Sequence, residues 1–291
     1  MKIVKFTGFL LILSAFLYSS AVFSQVKTKS TKFKAPQFVV ELNGAFNLPI
    51  MDTKGEVADF FKFKNYGTNV GFGGELNFKL AVSKYGEVRP MLTLGYAQFQ
   101  NKDDSKAYID LNNIVNGYPL PGSQQFGSVT GSCDLFIRSA YAGLGIEYAF
   151  TKVDKARRFT PYGNLTLDLN VIWGLYRQTP TQRVSGQLNP ETEISFTIKS
   201  TVRFGLSVGM GAQYRLATPF GINFGIKFKM ANLIGKESIK TSTKIQDPNE
   251  ENKMNLLDKA NTSLNTMLSS NRNIGYMHFY LGFAFYIGKK K

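Results

Sequence analysis

EISFTIKSTVRFGLSVGMGAQYR, at residues 193–215, alternates apolar and polar side chains along its whole length. The apolar residues fall at even numbers and include Phe204, Leu206 and Val208, whereas the odd numbers carry mainly Ser, Thr, Gly and charged residues. Period two places successive side chains on opposite faces of a β-strand, while an amphipathic helix requires a period near 3.6. We therefore predict one very long strand, well beyond the roughly five or six residues common in soluble sheets.

The first residues have the pattern of a secretory signal peptide. Lys2 and Lys5 precede an apolar run, and small residues follow up to Ser24. We predict that residues 1–24 are removed and that residues 25–36 form a flexible periplasmic lead-in. Beyond them no apolar run of about 18 residues occurs, which excludes membrane-spanning helices. A membrane location then requires a closed barrel, because only helices and closed barrels satisfy every backbone group in lipid.

Alternating stretches predict eight strands, with ten as the alternative count. Their connections are alternately long and short, so antiparallel strands would place every long loop at one rim and every short turn at the other. We predict an all-β, antiparallel, up-and-down transmembrane barrel over residues 37–288, followed by a basic tail at 289–291. The predicted strands cover residues 38–48, 69–80, 88–97, 138–150, 159–173, 193–215, 220–230 and 277–287.

The long predicted loops cover residues 50–67, 101–132, 175–192 and 232–273, and the last of them includes a helical segment near residues 256–268.

The fourth strand is the least regular of the eight. Leu144 and Ile146 alternate with Gly143 and Gly145, but extending this phase toward the N-terminus places Arg138 on the apolar face. Either a β-bulge resets the phase, or Arg138 lies beyond the hydrocarbon.

Alternation alone does not say which face points outward, since a secreted lipocalin-like barrel alternates with its apolar face inside. Here the polar face is rich in Gly, Ser, Thr, Asn and Ala, which suits a crowded interior better than a water-facing exterior. Charges inside a barrel are tolerated mainly when they are paired, so we predict an interior ion-pair network. Its members are Glu41, Glu75, Lys79, Arg89, Glu147, Asp168, Lys199, Arg203, Arg215, Lys227 and Lys229.

Aromatic residues near the strand ends of the apolar face predict the girdles that flank a membrane band. They are Tyr96, Tyr148, Phe150, Phe159, Trp173, Tyr214, Phe220 and Phe285.

Four strands carry a family resemblance: RPMLTLGYAQF (residues 89–99), TPYGNLTLDLN (160–170), FGLSVGMGAQYRL (204–216) and the terminal YLGFAFYIG (280–288). With the signal peptide, they resemble the small outer-membrane β-barrel domain family of Bacteroidota-type bacteria, a porin-like or opacity-like barrel. The resemblance covers essentially the whole mature chain. It implies integral outer-membrane localisation, contact with outer-membrane lipid and lipopolysaccharide, and insertion of the terminal strand by the barrel-assembly machinery.

The residue chemistry argues against catalysis, cofactors and metals. His278 is the only histidine and falls on the polar face of the last strand, so we predict a hydrogen-bonded lumen side chain and not a catalytic base. A single histidine and a single cysteine, Cys133, exclude metal sites built from several of either. The net charge of +15 raises nucleic acid as a partner, but the basic residues are dispersed and carry no nucleic-acid motif, so we predict none.

Three functions are compatible with this sequence. The first, which we predict, is a structural or binding barrel with a packed polar lumen and no catalysis. Its long external loops, above all residues 101–132 and 232–273, would contact a protein partner. The second is a narrow passive pore, which needs a continuous water path past the lumen charges. The third is an accessory component of an envelope secretion or assembly system, which rests on analogy of fold alone.

Overall fold

The computed structural model describes residues 36–61, 64–107, 129–151, 158–181, 193–217, 219–238, 246–247, 250–259 and 271–288. The predicted signal peptide, most of the lead-in and the basic tail lie outside these residues. A 3-10 turn (Met51–Thr53) and a short helix, α1 (Val57–Phe61), accompany the strands. The strands are β1 (Phe38–Ile50), β2 (Val70–Leu80), β3 (Val88–Asp103), β4 (Lys106–Ala107), β5 (Val129–Ala149), β6 (Phe159–Pro180), β7 (Ile194–Ala217), β8 (Phe220–Ile234), β9 (Gln246–Asp247), β10 (Glu250–Met254) and β11 (Gly275–Ile287).

Eight of these strands close into a ring in the order β1-β2-β3-β5-β6-β7-β8-β11, and β11 pairs back onto β1. Every pairing in the ring is antiparallel. β4, β9 and β10 lie outside the ring, where β4 pairs with β5 and β10 with β7. The predicted eight-stranded up-and-down barrel is confirmed.

The side-chain directions show which solvent each face meets. Leu144 and Leu167 on the outer face are 70% and 67% exposed, whereas Glu41 and Glu147 on the inner face are fully buried. A secreted barrel of the lipocalin kind would have the reverse arrangement. A closed ring with an apolar exterior and a polar interior is the architecture of an integral outer-membrane barrel.

Aromatic pairs lie on the outer face near both ends of the apolar band. At the end of the band nearer the long connections, the ring centroids of Tyr96 and Trp173 are 6.1 Å apart. At the opposite, turn-side rim, the ring of Phe220 lies 5.4 Å from Phe283 and 5.6 Å from Phe285. These pairs occupy the places at which interfacial aromatic girdles are expected.

The strands differ greatly in length. β5, β6 and β7 have 21, 22 and 24 residues, whereas β1, β2 and β11 have 13, 11 and 13. Crossing a bilayer needs roughly 9–11 residues. The three long neighbours therefore extend beyond the membrane as a wall on the loop side, and the predicted loops at 101–132 and 175–192 are shorter than expected because β3, β5 and β6 continue into them.

β7 contains a β-bulge that its alternating sequence does not indicate. Thr201 pairs with Ile172 and Ile198 with Gly174, so β7 has one extra residue relative to β6 in this interval. One extra residue reverses which side chains point inward. Phe196 and Ile198 are consequently buried, and the prediction that they face outward with Val208 is wrong.

Arg138 lies on the outer face of β5, and no bulge interrupts the strand there. The pairing of β5 with β3 and with β6 is continuous through this position. The Arg138 Nε donates to Gln98 Oε1 at 3.0 Å, and its guanidinium lies over the ring of Phe136 at 5.6 Å. The alternative with a bulge is therefore wrong, and the position of Arg138 beyond the hydrocarbon stays a prediction.

Little of the described chain is helical. No helix among the described residues is both long and apolar enough to cross a membrane. The described part of the predicted segment at 256–268, residues 256–259, is not helical, and its remainder lies outside the described residues.

Introducing arginine at Val208, which faces outward near the middle of the apolar band, should destabilise the barrel by about 2–4 kcal/mol, because the charge enters hydrocarbon. The matched control is Thr197→Arg, also outward-facing on β7 but beyond the bulge, which should cost only about 0–1 kcal/mol. Urea unfolding in lipid vesicles measures both. Equal losses would contradict the membrane-facing assignment.

Candidate functional site

The barrel interior gathers the predicted lumen charges, with one exception. Those buried inside are Glu41, Glu75, Lys79, Arg89, Glu147, Asp168, Arg203, Arg215, Lys227 and Lys229. Lys199 is exposed instead, so its assignment to the lumen is wrong. The β7 bulge explains this difference, because the phase that points Arg203 inward does not continue to Lys199.

The turn-side half of the lumen holds a cluster of alternating charge. The Lys79 ammonium lies between the carboxylates of Glu41 and Glu147 and bonds to both. Arg89 Nη1 contacts Glu147 Oε1 at 2.9 Å and donates to Gln213 Oε1 at 3.2 Å. The Gln213 amide in turn donates to Glu41. The bonds of Lys79 to Glu147, of Arg89 to Gln213 and of Gln213 to Glu41 join strands that are not neighbours in the ring, so they cross the lumen.

A second cluster lies around Glu75 in the middle of the lumen. Lys227 forms an ion pair with Glu75 Oε1, and the Tyr141 hydroxyl donates to Glu75 Oε2 at 3.3 Å. Lys229 lies 3.8 Å from a carboxylate oxygen of Asp168, and its ammonium is 3.4 Å from the centroid of the Tyr141 ring. Two neighbouring cations of β8 are thus each matched by a carboxylate from another strand.

His278 is fully buried within the lumen. Its Nδ1 lies 2.6 Å from Asn47 Oδ1 and its Nε2 lies 3.5 Å from a carboxylate oxygen of Glu75. A histidine acting on lipid would have to be open to lipid, and this ring is not. Among the described residues, no three His, Cys, Asp or Glu side chains are grouped so that they could hold a metal ion.

Replacing Lys79 by methionine should destabilise the barrel by about 3–5 kcal/mol, because the substitution removes the cation paired with the buried Glu41 and leaves Glu147 with Arg89 alone. The single tryptophan, Trp173, reports unfolding in urea by fluorescence. Lys102→Met is the matched control: its ammonium pairs with Asp104 but is exposed, so the substitution should leave the free energy of unfolding essentially unchanged. Similar losses from both variants would show that the lumen pairs contribute no more than surface pairs.

Toward the loop side the lumen changes from charged to apolar. Inward-facing residues of the strands meet residues of two connections that fold into the mouth of the barrel. We call the described parts of these connections, residues 51–61, 64–69, 253–259 and 271–274, the cap. The strand members of this apolar cluster are Ala97, Phe99, Cys133, Leu135, Ile137, Ile172, Tyr176, Phe196, Ile198, Ala231 and Tyr276, and the cap members are Val57, Phe60, Tyr66, Met254, Leu256, Leu257 and Ile274.

Arg272 binds the two halves of the cap together. Its Nη1 donates to the backbone carbonyls of Phe60 at 3.2 Å and of Asn65 at 2.9 Å. Its Nη2 donates to the carbonyls of Leu256 and of Leu257, the latter at 2.9 Å. A single buried guanidinium thus donates to carbonyl groups from both connections.

The cap is also attached to the barrel wall by charge. Arg203, on β7, donates from Nε to Asp258 Oδ2 at 2.9 Å, and its Nη2 lies 3.2 Å from Glu237 Oε1. Asn232, at the end of β8, donates to Asp258 at 3.2 Å and to the Arg272 carbonyl at 3.0 Å. Asp258 and Arg203 are both buried, so each requires the other.

Burial alters the acid–base behaviour of the cap. It raises the pKa of the Tyr66 phenol and lowers the pKa of Arg272, whose charge the nearby Tyr66 and Asp258 favour. Arginine still stays protonated in proteins, so a cation lies 4.3 Å from the centroid of a neutral Tyr66 ring. Burial likewise raises the pKa of Glu237, against the opposing hydrogen bond from the Leu257 amide.

Sequence reasoning missed the cap. Asp258, Arg272 and Asn232 lie in stretches without period-two alternation, and nothing local marks them as buried. The one available signal was the group of aromatic residues at 60–63, which indicated packing of that loop, and Phe60 is indeed in the apolar cluster.

Arg272→Met should loosen the cap without unfolding the barrel, because it removes the donors of several buried carbonyls, each worth about 1–3 kcal/mol when left unsatisfied. Hydrogen exchange at residues 253–259 should accelerate at least tenfold, since about 1.4 kcal/mol changes an equilibrium tenfold, while exchange in β1 and β11 stays unchanged. Arg177→Met, at an exposed arginine paired with Glu193, is the control. Unchanged exchange in the cap would contradict this role of Arg272.

Comparison with known proteins gives only a likeness of fold. No protein-family profile matches the chain, and no curated protein matches it. Several solved structures are similar. A major outer membrane protein from Thermus thermophilus shares 13% identity at a TM-score of 0.43, covering 85% of this chain and 98% of that one. OprG from Pseudomonas aeruginosa shares 14% at 0.41, covering 88% and 98%. The outer membrane protease OmpT from Escherichia coli shares 11% at 0.35, covering 89% and 99%.

These proteins are all outer-membrane proteins, and one of them is a protease. Identities and TM-scores this low transfer neither ligand nor activity to the present chain. The membrane placement of this barrel therefore rests on its own surface, with Leu144 and Leu167 in the exposed apolar band and Glu41 and Glu147 inside.

Proposed function

We propose that the protein is a sealed, non-catalytic outer-membrane barrel that presents its loop-side rim to a partner protein. The observation that carries this proposal is the filling of the lumen: a crossing charge network is followed directly by the apolar cluster and the cap. Its membrane placement supports contact with outer-membrane lipid and lipopolysaccharide. The exposed apolar residues of β11 support insertion by the barrel-assembly machinery.

The crossing bonds argue against a pore. Lys227 of β8 reaches Glu75 of β2, and Gln213 of β7 reaches Glu41 of β1, across intervening strands. Ions passing through would have to break buried pairs, each of which costs several kcal/mol to separate. A passive channel instead keeps its charges on a wetted wall.

The uneven strand lengths support a binding role at the loop side. β5, β6 and β7 continue well past the length that a bilayer needs, and their outer faces there carry polar residues such as Arg177, Thr197 and Lys199. Spanning the membrane does not require this wall. A folded surface outside the bilayer is useful to a protein that contacts something there, and rigid scaffolds commonly carry binding residues on such rims.

Single-channel recording in planar bilayers tests the sealed lumen. The purified protein should give no steady unitary conductance, because no step of the path through the lumen is free of a buried pair or an apolar contact. Arg272→Met, which loosens only the cap, should remain closed since the charge network persists. A steady wild-type conductance would reject the sealed barrel in favour of the pore.

Site-specific photo-crosslinking in cells tests the partner. A crosslinker at Asp104, exposed at the loop-side rim, should yield a discrete adduct of higher mass, whereas one at Lys84, exposed at the turn-side rim, should not. Adducts formed only from Lys84, or equally from both positions, would overturn the assignment of the partner to the loop side.

A further inference from the structure

A cavity of about 550 Å³ opens on the loop-side rim, directly beyond the end of β8. Lys236, Lys259, Asn271 and Asn273 provide its polar lining, and no acidic side chain is among the described residues that line it. The two carboxylates that act on Lys236 are already bonded to other groups, Asp52 to Asn273 and Asp258 to Arg203. The two ammonium groups and two amides of the lining therefore form an environment that favours an anion.

The polar lining is held in place by the cap. Lys236 Nζ donates to Asn273 Oδ1 at 2.6 Å, and Asn273 Nδ2 donates to Asp52 Oδ2 at 3.1 Å. A parallel backbone bridge between Ser238 and Lys259 holds the second lysine beside the segment that carries the first. The two ammonium groups are therefore brought to one cavity by the fold and are not merely neighbours on a mobile surface.

The opposite side of the cavity belongs to the membrane face. Ile234 is 63% exposed and pairs across the sheet with Phe204, which is also exposed on the outer face. Leu233 is exposed beside it. Gly235 then adopts a φ of 85°, a left-handed conformation suited to glycine, and the strand ends there. Lys236 consequently lies where the apolar surface stops and the polar rim begins.

We propose that this cavity binds the phosphate group of an anionic lipid of the outer leaflet. Lys236 and Lys259 face the phosphate, and the acyl chains lie against Leu233 and Ile234. The apolar and the basic residues of this lining match the acyl chains and the phosphate of one lipid molecule. A soluble phosphate would contact only the lysines. The inference depends on the membrane placement but not on whether the lumen conducts.

The electrostatics of the cavity agree with this assignment. Burial lowers the pKa of Lys236, Asp258 and Asp52 oppose that shift, and the charge of Lys259 adds a smaller effect in the same direction as burial. Two cations held close together repel each other, and a phosphate between them would offset both the repulsion and the lost hydration.

Lipid retention tests the site directly. The full-length protein is reconstituted in phosphatidylcholine bilayers containing a small fraction of lipid A, extracted, and examined by native mass spectrometry for bound lipid A. Each lysine near an anionic surface contributes about 1 kcal/mol, or about fivefold in affinity. The double variant Lys236→Gln, Lys259→Gln should therefore retain roughly 25-fold less lipid A. The matched control is Lys64→Gln, Lys102→Gln, which removes two exposed loop-side lysines elsewhere and should retain the wild-type amount.

A second variant distinguishes lipid from free phosphate. Ile234→Ser should weaken lipid A retention while leaving the binding of inorganic phosphate, titrated calorimetrically without anionic lipid, unchanged and weak. Tight phosphate binding with no effect of Ile234→Ser on lipid would overturn the lipid assignment in favour of a soluble anion. Equal retention by the two double variants would overturn the site itself.

Folding and conductance are measured on the same samples, so the outcomes can be separated. Heat-modifiable migration on gels reports whether each variant is folded. A conducting wild type that still discriminates between the double variants would reject the sealed lumen and leave the lipid site standing. A wild type without conductance, together with equal lipid A retention by the two double variants, would reject the lipid site and leave the sealed lumen standing.

Discussion

Each strand of this barrel has one face in hydrocarbon and one face in the lumen, and the pairing of charged residues in the lumen follows from this arrangement. Hydrocarbon outside requires every second residue to be apolar, so polar and charged residues are forced toward a lumen too narrow to hydrate them. Lys79 between Glu41 and Glu147, and Lys227 beside Glu75, show the result: buried charges bonded across the ring. Because the pairs Lys79–Glu147 and Lys227–Glu75 join non-adjacent strands, they also constrain the circumference and register of the barrel.

Beyond the bilayer the constraint changes, and so does the interior. There the wall formed by β5, β6 and β7 is no longer part of a closed ring, because the shorter strands have ended. Its inner face carries Leu135, Phe196 and Ile198. An apolar surface of this size in water must be covered. The cap covers it from within the mouth, while β10 pairs with the part of the β7 edge that extends past β8.

Most of the fold could be predicted from the sequence because alternation, strand number and loop asymmetry are local or additive signals. The bulge in β7 could not, because the residues around it, Lys199 to Thr201, are polar in either phase and do not reveal the extra position. For Arg138 the sequence left two alternatives open. Its hydrogen-bond partner, Gln98, lies on a neighbouring strand and is distant in sequence, so the pattern around Arg138 does not reveal it. The cap was beyond prediction for the same reason: Arg272 and Asp258 acquire meaning only through contacts distant in sequence.

The division between lumen and rim also bears on where function can reside. Changing a lumen residue such as Glu75 alters a cluster that several strands share, so the interior tolerates little variation without loss of stability. The rim lies outside that coupled network. The cap is bonded to the barrel wall at several points, among them Arg203 to Asp258 and Asn101 to the carbonyls of Gly55 and Gly67. Surface chemistry at the rim can change at small energetic cost. Because the interior residues are needed for stability, the loop-side rim is the part of this barrel in which binding residues can vary.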